Sequence, residues 1–257
     1  MQGKAVLHLS GVCALSVVVM LGLGLLGHLR QLADPTDVVL QDGILLVMMV
    51  GLNLEWLQVP VFFRSELPLG QQVRLNAVPL LVMALTWLDL LGMAQNWFHP
   101  FAMPVRLALI VAGCVAVFEE YFFRGVVLTL LMRALPHHLL AAVVGSGLIF
   151  GSFHLINWVH QPLALTLLQG ANAWAMGLLL AAIYLRTRAL LWPILWHFTH
   201  DLGVLLLTGV VVDTRPTTSV TVGTGLAIIY VVTALVLLRP DKQATLTWPL
   251  TAISHHG

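Results

Sequence analysis

Charge is what this sequence has least of. Asp, Glu, Lys and Arg together make up 9% of its 257 residues, against roughly 25% in a soluble globular domain. The apolar share is 59% and the mean hydropathy is +0.94. Twelve basic and 11 acidic side chains cannot clothe a soluble fold of this length, so the remaining solvent is lipid. A formal net charge of +1 supplies no basic patch and excludes a nucleic-acid partner. Cysteine is scarce too. Cys13 and Cys114 lie in apolar runs, match no zinc-site spacing and read as small core residues.

Bilayer thickness converts this composition into architecture. About 20 apolar residues at 1.5 Å rise cross a hydrocarbon core of about 30 Å. On that ruler the chain has eight expected spans, approximately 5–27, 39–62, 77–93, 107–131, 139–157, 163–185, 189–211 and 219–238. Helix stoppers and charge fall between them, as at Asp34-Pro35, Arg64 to Gly70, His99-Pro100, Pro136 to His138, Arg186 to Arg188 and Asp213 to Pro216. Long apolar runs suit helices and not barrel strands. The expected fold is therefore all-α, a polytopic bundle forming one domain over 1–257, with no internal repeat. Lys4 precedes an apolar stretch too long for a signal peptide, and no small-residue cleavage site stands out, so the first helix reads as retained.

With eight spans, Lys4, Arg64, Arg74, Arg133, Arg186, Arg188, Arg239 and Lys242 share one side, and Arg30, Arg106 and Arg215 the other. That bias puts both termini in the cytoplasm. Trp56, Trp87, Trp97, Trp158 and Trp192 fall near expected span ends, where indole rings form an interfacial belt.

Against this apolar background a few residues stand out. A charge at the bilayer centre costs about 3 kcal/mol, so intramembrane ionisable groups face the bundle interior and serve function. The fourth span carries Glu119-Glu120-Tyr121-Phe122-Phe123-Arg124. Glu120 and Arg124 are four apart and can pair. Glu119 points about 100° away by the helical period and has no partner in its own helix. The fifth span ends on Phe150-Gly151-Ser152-Phe153-His154. The seventh holds His197 and Asp201, again four apart. A buried Glu with two His on separate helices can activate water: the carboxylate acts as base, one imidazole shares the proton, and a second donor faces the oxyanion. Asp42, Glu55 and Asp89, also in or near spans, read as acids without a chemical role.

The order Glu-Glu-x-x-x-Arg, Phe-x-x-x-His, His-x-x-x-Asn/Asp, found here at 119–124, 150–154 and 197–201, resembles the CAAX-protease and bacteriocin-processing family (CPBP, Abi). The prenyl-protein endopeptidase Ras-converting enzyme is its eukaryotic relative. The resemblance spans about 105–210. It implies that Glu119 is the catalytic glutamate, that His154 helps it activate water, that His197 and Asp201 line the oxyanion side, and that Glu120 and Arg124 support the site. Eukaryotic members carry Asn at the last position. An ionised Asp201 would repel an oxyanion, so Asp201 must be protonated, orient His197, or bind a metal.

Family members are often labelled metalloproteases, and His154, His197 and Glu119 would be the zinc ligands if this one were. There is no His-Glu-x-x-His, however, and a metal-free glutamate mechanism needs the same residues, so no cofactor is the favoured expectation. The rhomboid Gly-x-Ser-Gly and aspartyl Gly-x-Gly-Asp elements are missing. The expected partners are the lipid bilayer and a peptide or membrane-protein substrate, in a bacterial cell membrane. Two other functions fit less well. A bacteriocin-immunity or scaffolding protein would need no proteolysis, and a proton-coupled transporter should show matching halves.

Overall fold

The computed structural model describes residues 2–29, 34–94, 101–159, 161–209 and 220–243. Among the described residues the chain is all-helical, with 87% helix and no strand. The helices in chain order are α1 (Gln2–Leu29), α2 (Asp34–Leu52), α3 (Leu69–Leu75), α4 (Ala77–Ala94), α5 (Val105–Glu120), α6 (Leu128–Ala134), α7 (Leu139–Phe153), α8 (Leu163–Thr187), α9 (Leu191–Thr208), α10 (Val220–Leu237) and α11 (Pro240–Gln243). Four stretches are long and apolar enough to cross a bilayer: Gln2–Leu29, Pro35–Leu57, Leu139–Val159 and Leu163–Thr187. Their outward faces carry large apolar side chains, among them Leu7, Val18, Leu25, Val47, Leu148 and Leu167. Water would not tolerate so continuous an apolar surface.

Two departures from regular helix matter. α5 and α6 are joined by a π-helical segment, Tyr121–Val127, in which the Leu128 N–H reaches back to the Phe123 carbonyl. The fourth expected span is thus one continuous rod with a wound-out middle, and Glu119 and Glu120 sit at the α-to-π junction. Single π turns recur at functional sites because they re-aim side chains. α2 continues as a π turn, Asn53–Leu57, then stops. The expected second span ran to 62, but residues 58–62 are irregular. Gln58 is left-handed (φ 49°), and the Asn53 side chain takes both backbone groups of Val59, accepting its N–H at 2.9 Å and donating to its carbonyl at 3.1 Å. An amide that mimics a neighbouring strand ends the helix and satisfies the freed backbone.

The core is built on the rod and on α8. From Glu120 to Met132 every residue is buried, and so is Ala175 to Leu185. A helix apolar all round belongs at the centre of a bundle. α1 packs on α6, α2 and α9 on α5, and α7 and α10 on α8. Cys13 and Cys114 are free thiols of intermediate exposure, and Cys13 packs against the core. Of the aromatic belt, Trp56 and Trp158 are exposed and Trp192 donates to Gln72 at 2.7 Å. Trp97 lies outside the described residues.

α7 meets α8 through glycine. A Cβ built on Gly151 would sit 2.6 Å from the Gly170 carbonyl oxygen, and one on Gly147 3.1 Å from the Trp174 oxygen. Gly147 and Gly151 form the small-xxx-small face that lets membrane helices approach backbone to backbone, and this contact sets the height of Phe150 and His154. A Cβ on Gly113 of α5, by contrast, would meet nothing within 4 Å. Gly151→Ala should therefore destabilise by about 1–3 kcal/mol through overpacking. Gly113→Ala should stabilise by about 0.5–1 kcal/mol through helix propensity. Unfolding of the two detergent-solubilised variants checks the sign of each; equal behaviour would contradict the close α7–α8 contact.

Candidate active site

Three carboxylates from the rod and α9 converge on His197, which is 3% exposed. Its Nδ1 lies 2.8 Å from Glu120 Oε1. Its Nε2 lies 3.6 Å from Glu119 Oε2 and 3.4 Å from Asp201 Oδ2. The same Glu120 oxygen accepts from Arg124 Nη1 at 2.8 Å, so one carboxylate oxygen holds both the arginine and the imidazole. Glu120 and Arg124 are 0% and 1% exposed, whereas Glu119 and Asp201 are 22% and 23% exposed. The inner pair is sealed and the outer pair faces the cavity.

The hydrogen-bond inventory fixes the ring. Facing a carboxylate, Nδ1 can only donate, so a neutral His197 keeps its lone pair on Nε2. Yet Nε2 faces two carboxylate oxygens, which also only accept when ionised. At least one proton, or a water, must be shared among Glu119, Asp201 and Nε2, and separations of 3.4–3.6 Å exceed a direct hydrogen bond. His154 is fixed in a similar way. Its Nδ1 lies 3.0 Å from the Phe150 carbonyl oxygen, which leaves Nε2 as the accepting nitrogen.

Phe150 ties the two histidines together. Its ring meets His154 edge-on at 4.8 Å and His197 at 5.9 Å, and the Arg124 guanidinium stacks over it at 4.3 Å. A cation over an aromatic face is attracted to it, more strongly when desolvated. Phe123 packs against Phe150 at 4.9 Å and Phe153 at 5.2 Å.

A cavity of about 460 Å³ opens beside this cluster, within the range of small-ligand pockets. Glu119, His154, His197 and Asp201 all line it. The structure thus gathers the four expected site residues on one cavity and puts Glu120 and Arg124 behind it. As for a metal, no three His, Cys, Asp or Glu side chains among the described residues are grouped so as to hold one. His197 has a single nitrogen left, and the donor set does not fit a closed zinc shell.

Residues 101–203 match the model of a protein family, Rce1-like, described as type II CAAX prenyl endopeptidase Rce1-like. This segment is similar to the CAAX prenyl endopeptidases that the family model describes. The Rce1-like segment contains all six site residues, and it starts and ends a few residues earlier than the expected 105–210. No curated protein and no solved structure matches the chain.

Sequence reading missed several participants. Asn53 donates to the Tyr121 hydroxyl at 3.1 Å, fixing the residue after Glu120; a buried amide in an apolar run was the available signal. Asp42, read as an acid without a chemical role, is buried and lines the cavity, while Glu55 is exposed and the Asp89 side chain lies outside the described residues. His200 lines the cavity and stacks on Trp196 at 5.8 Å. Asn157, Gln161, Gln169 and Asn172 form its amide wall.

The shared carboxylate sets up a double-mutant cycle. Glu120→Ala or Arg124→Ala each strands a buried charge and should cost about 3–5 kcal/mol. The double variant should cost clearly less than their sum, by a coupling of about 0.5–3 kcal/mol. Additive losses in denaturant unfolding would mean that the two side chains are not energetically paired.

Proposed function

We propose that this protein is an intramembrane endopeptidase that hydrolyses a peptide bond with water activated by Glu119. The observation that carries the proposal is the pinned imidazole. Glu120 fixes His197 by Nδ1, so that Nε2 and the Glu119 carboxylate face the same cavity within 3.6 Å. The match of 101–203 to a protease family supplies the reaction class.

In this reading a water beside Glu119 gives up a proton to the carboxylate as its oxygen bonds to the scissile carbonyl carbon. His154, through its accepting Nε2, helps hold that water. The carbonyl oxygen becomes an oxyanion, met by His197, which as an imidazolium donates from Nε2 as well as from Nδ1, and by Asp201 donating as a carboxylic acid. The C–N bond then breaks, and the proton held by Glu119 passes to the leaving nitrogen, so atoms and charge balance. Asp201 shares Nε2 with Glu119 and does not reach Nδ1, which favours the donor role over an orienting one. No metal takes part in this scheme.

The membrane setting completes the proposal. Eight helical stretches cross the bilayer, the rod counting as one, with both termini cytoplasmic in a bacterial cell membrane. Apolar outward faces on α4, α9 and α10, such as Leu81, Leu85, Leu207, Val232 and Leu235, support counting those helices in. The substrate is a membrane-associated peptide or protein segment.

Glu119→Gln keeps the shape and removes the base. It should lower cleavage of a quenched fluorogenic peptide by at least about 100-fold, with the thermal unfolding of the detergent-solubilised protein unchanged. Wild-type protein should keep its activity in the same assay after exhaustive chelation. Activity of the Gln variant within a few-fold of wild type would end the general-base assignment, and reversible loss on chelation would end the metal-free one.

Asp201→Asn separates the roles of that residue. An amide supplies an equivalent N–H donor, so activity should survive within about tenfold. A loss beyond about 1000-fold in a folded protein would contradict the donor role.

A further inference from the structure

One acid on the cavity is left without a partner. Asp42 is 7% exposed and lines the cavity, and among the described residues no hydrogen bond or ion pair holds it. It stands in the buried stripe of α2, which runs Asp42, Leu45, Met49 and on to Asn53, the spacing of one helical face. Leu45 and Met49 are 0% exposed, so packing alone asks for an apolar side chain at 42. Asn53, in the same stripe, satisfies its amide on Val59 and Tyr121. Asp42 has only the cavity. Burying a polar group without a partner is costly, and an acid inside a membrane bundle marks a functional position. α2 lies outside residues 101–203, so the family match assigns nothing to Asp42.

The ionisable groups that act on Asp42 are Glu119 of the rod and Asp201 and His197 of α9, and Asp42 acts in turn on Cys114 of α5. His154, His200 and Tyr230 complete the ionisable lining of the cavity, to which α1 contributes Met20. His197, the one imidazole that acts on Asp42, is already matched. Its Nδ1 meets Glu120, whose charge Arg124 offsets, and its Nε2 faces Glu119 and Asp201. An ionised Asp42 would be a surplus anion beside two other carboxyls in a low-dielectric space, where carboxyls sharing a site retain a proton. A neutral Asp42 has instead an O–H to donate. The matching vacancy is on Glu119, whose Oε2 is buried and accepts no hydrogen bond among the described residues. No direct bond joins the two side chains, and the cavity between them has room for water.

We propose that Asp42 is a positioning residue for the reaction: a neutral carboxylic acid whose O–H, relayed through one cavity water, donates to Glu119 Oε2 and keeps Glu119 the ionised acid of the three. A hydrogen bond to the charged form of a carboxyl favours that form, so the donor holds the base ready to take a proton. This deepens the endopeptidase reading and rests on it for the role of Glu119. Where the protons sit at rest does not depend on hydrolysis.

The acid limb of the kcat/KM profile, which reports the base of the free enzyme, moves with a sign that tests this. Asp42→Leu fills the stripe and removes the donor. A carboxylate that loses a donor holds its proton more tightly, so the limb should move up by about one pH unit, the scale of one hydrogen bond to a charged group. Asp42→Asn keeps a neutral donor and should return the limb to the wild-type position. An ionised Asp42 gives the opposite sign, since either substitution would remove a negative charge beside Glu119 and move the limb down. A downward shift in Asp42→Asn, or no shift in Asp42→Leu, would overturn the proposal. Infrared spectra of the detergent-solubilised protein at neutral pH read the protons without turnover. Asp42→Asn should delete a carbonyl band of a protonated carboxyl that the wild type shows, whereas Glu119→Gln should delete none. A spectrum unchanged by Asp42→Asn, or a band lost in Glu119→Gln, would equally overturn the proposal, and these two variants decide if Asp42→Leu fails to fold. Should the bands behave as expected while the wild type cleaves nothing, hydrolysis falls and the proton arrangement stands. Cleavage that depends on Glu119 with a limb indifferent to Asp42 would do the reverse, sinking the role of Asp42 and leaving hydrolysis in place.

Discussion

Everything at this site hangs on one carboxylate oxygen. Glu120 Oε1 receives Arg124 Nη1 and His197 Nδ1, each at 2.8 Å, in a volume closed to solvent. A lone ionised carboxylate there would cost several kcal/mol in desolvation, and so would a lone guanidinium. Together they are tolerable, and the guanidinium gains further from the Phe150 face. The consequence for chemistry lies on the far side of the imidazole. With Nδ1 committed, the ring cannot turn, and Nε2 stays aimed at Glu119 and Asp201.

The fold holds that arrangement inside the helix bundle. The rod supplies Glu119, Glu120 and Arg124, and its π segment at Tyr121–Val127 changes the helical phase just after the two glutamates. Asn53 clamps Tyr121 from α2, and glycine contacts between α7 and α8 set Phe150 and His154 beneath the cavity. The π segment and the π turn at Asn53–Leu57 give up backbone regularity where a plain helix would otherwise run on. Irregular backbone inside a bilayer survives only where protein covers it, and Tyr121–Val127 is buried throughout.

Much of this was legible in the sequence. Composition alone gave the all-helical membrane class, and helices occur close to the eight expected stretches, although four of them meet the length and apolarity of a span. The Glu120–Arg124 pair followed from spacing, because four residues bring two side chains together on any helix. The bridge from Glu120 to His197 did not follow, since spacing within one helix says nothing about which helix lies beside it. The early end of α2 was hidden for a similar reason: Asn53 reads as one more residue in an apolar run until its amide is seen to satisfy Val59. The amide wall was overlooked because its residues lie on separate segments, Asn157 and Gln161 before α8 and Gln169 and Asn172 within it, that only the fold brings together.

In the proposed mechanism Glu119 and His197 act on one water and one oxyanion, so their contributions cannot be independent. Residues that work as a unit lose nearly everything when either is removed. The most direct test is the cleavage rate of Glu119→Gln, His197→Ala and the double variant, each shown to be folded. The account predicts three similar rates, the double no more than a few-fold below the slower single. Losses that multiply, or a His197→Ala protein that cleaves at near the wild-type rate, would contradict it.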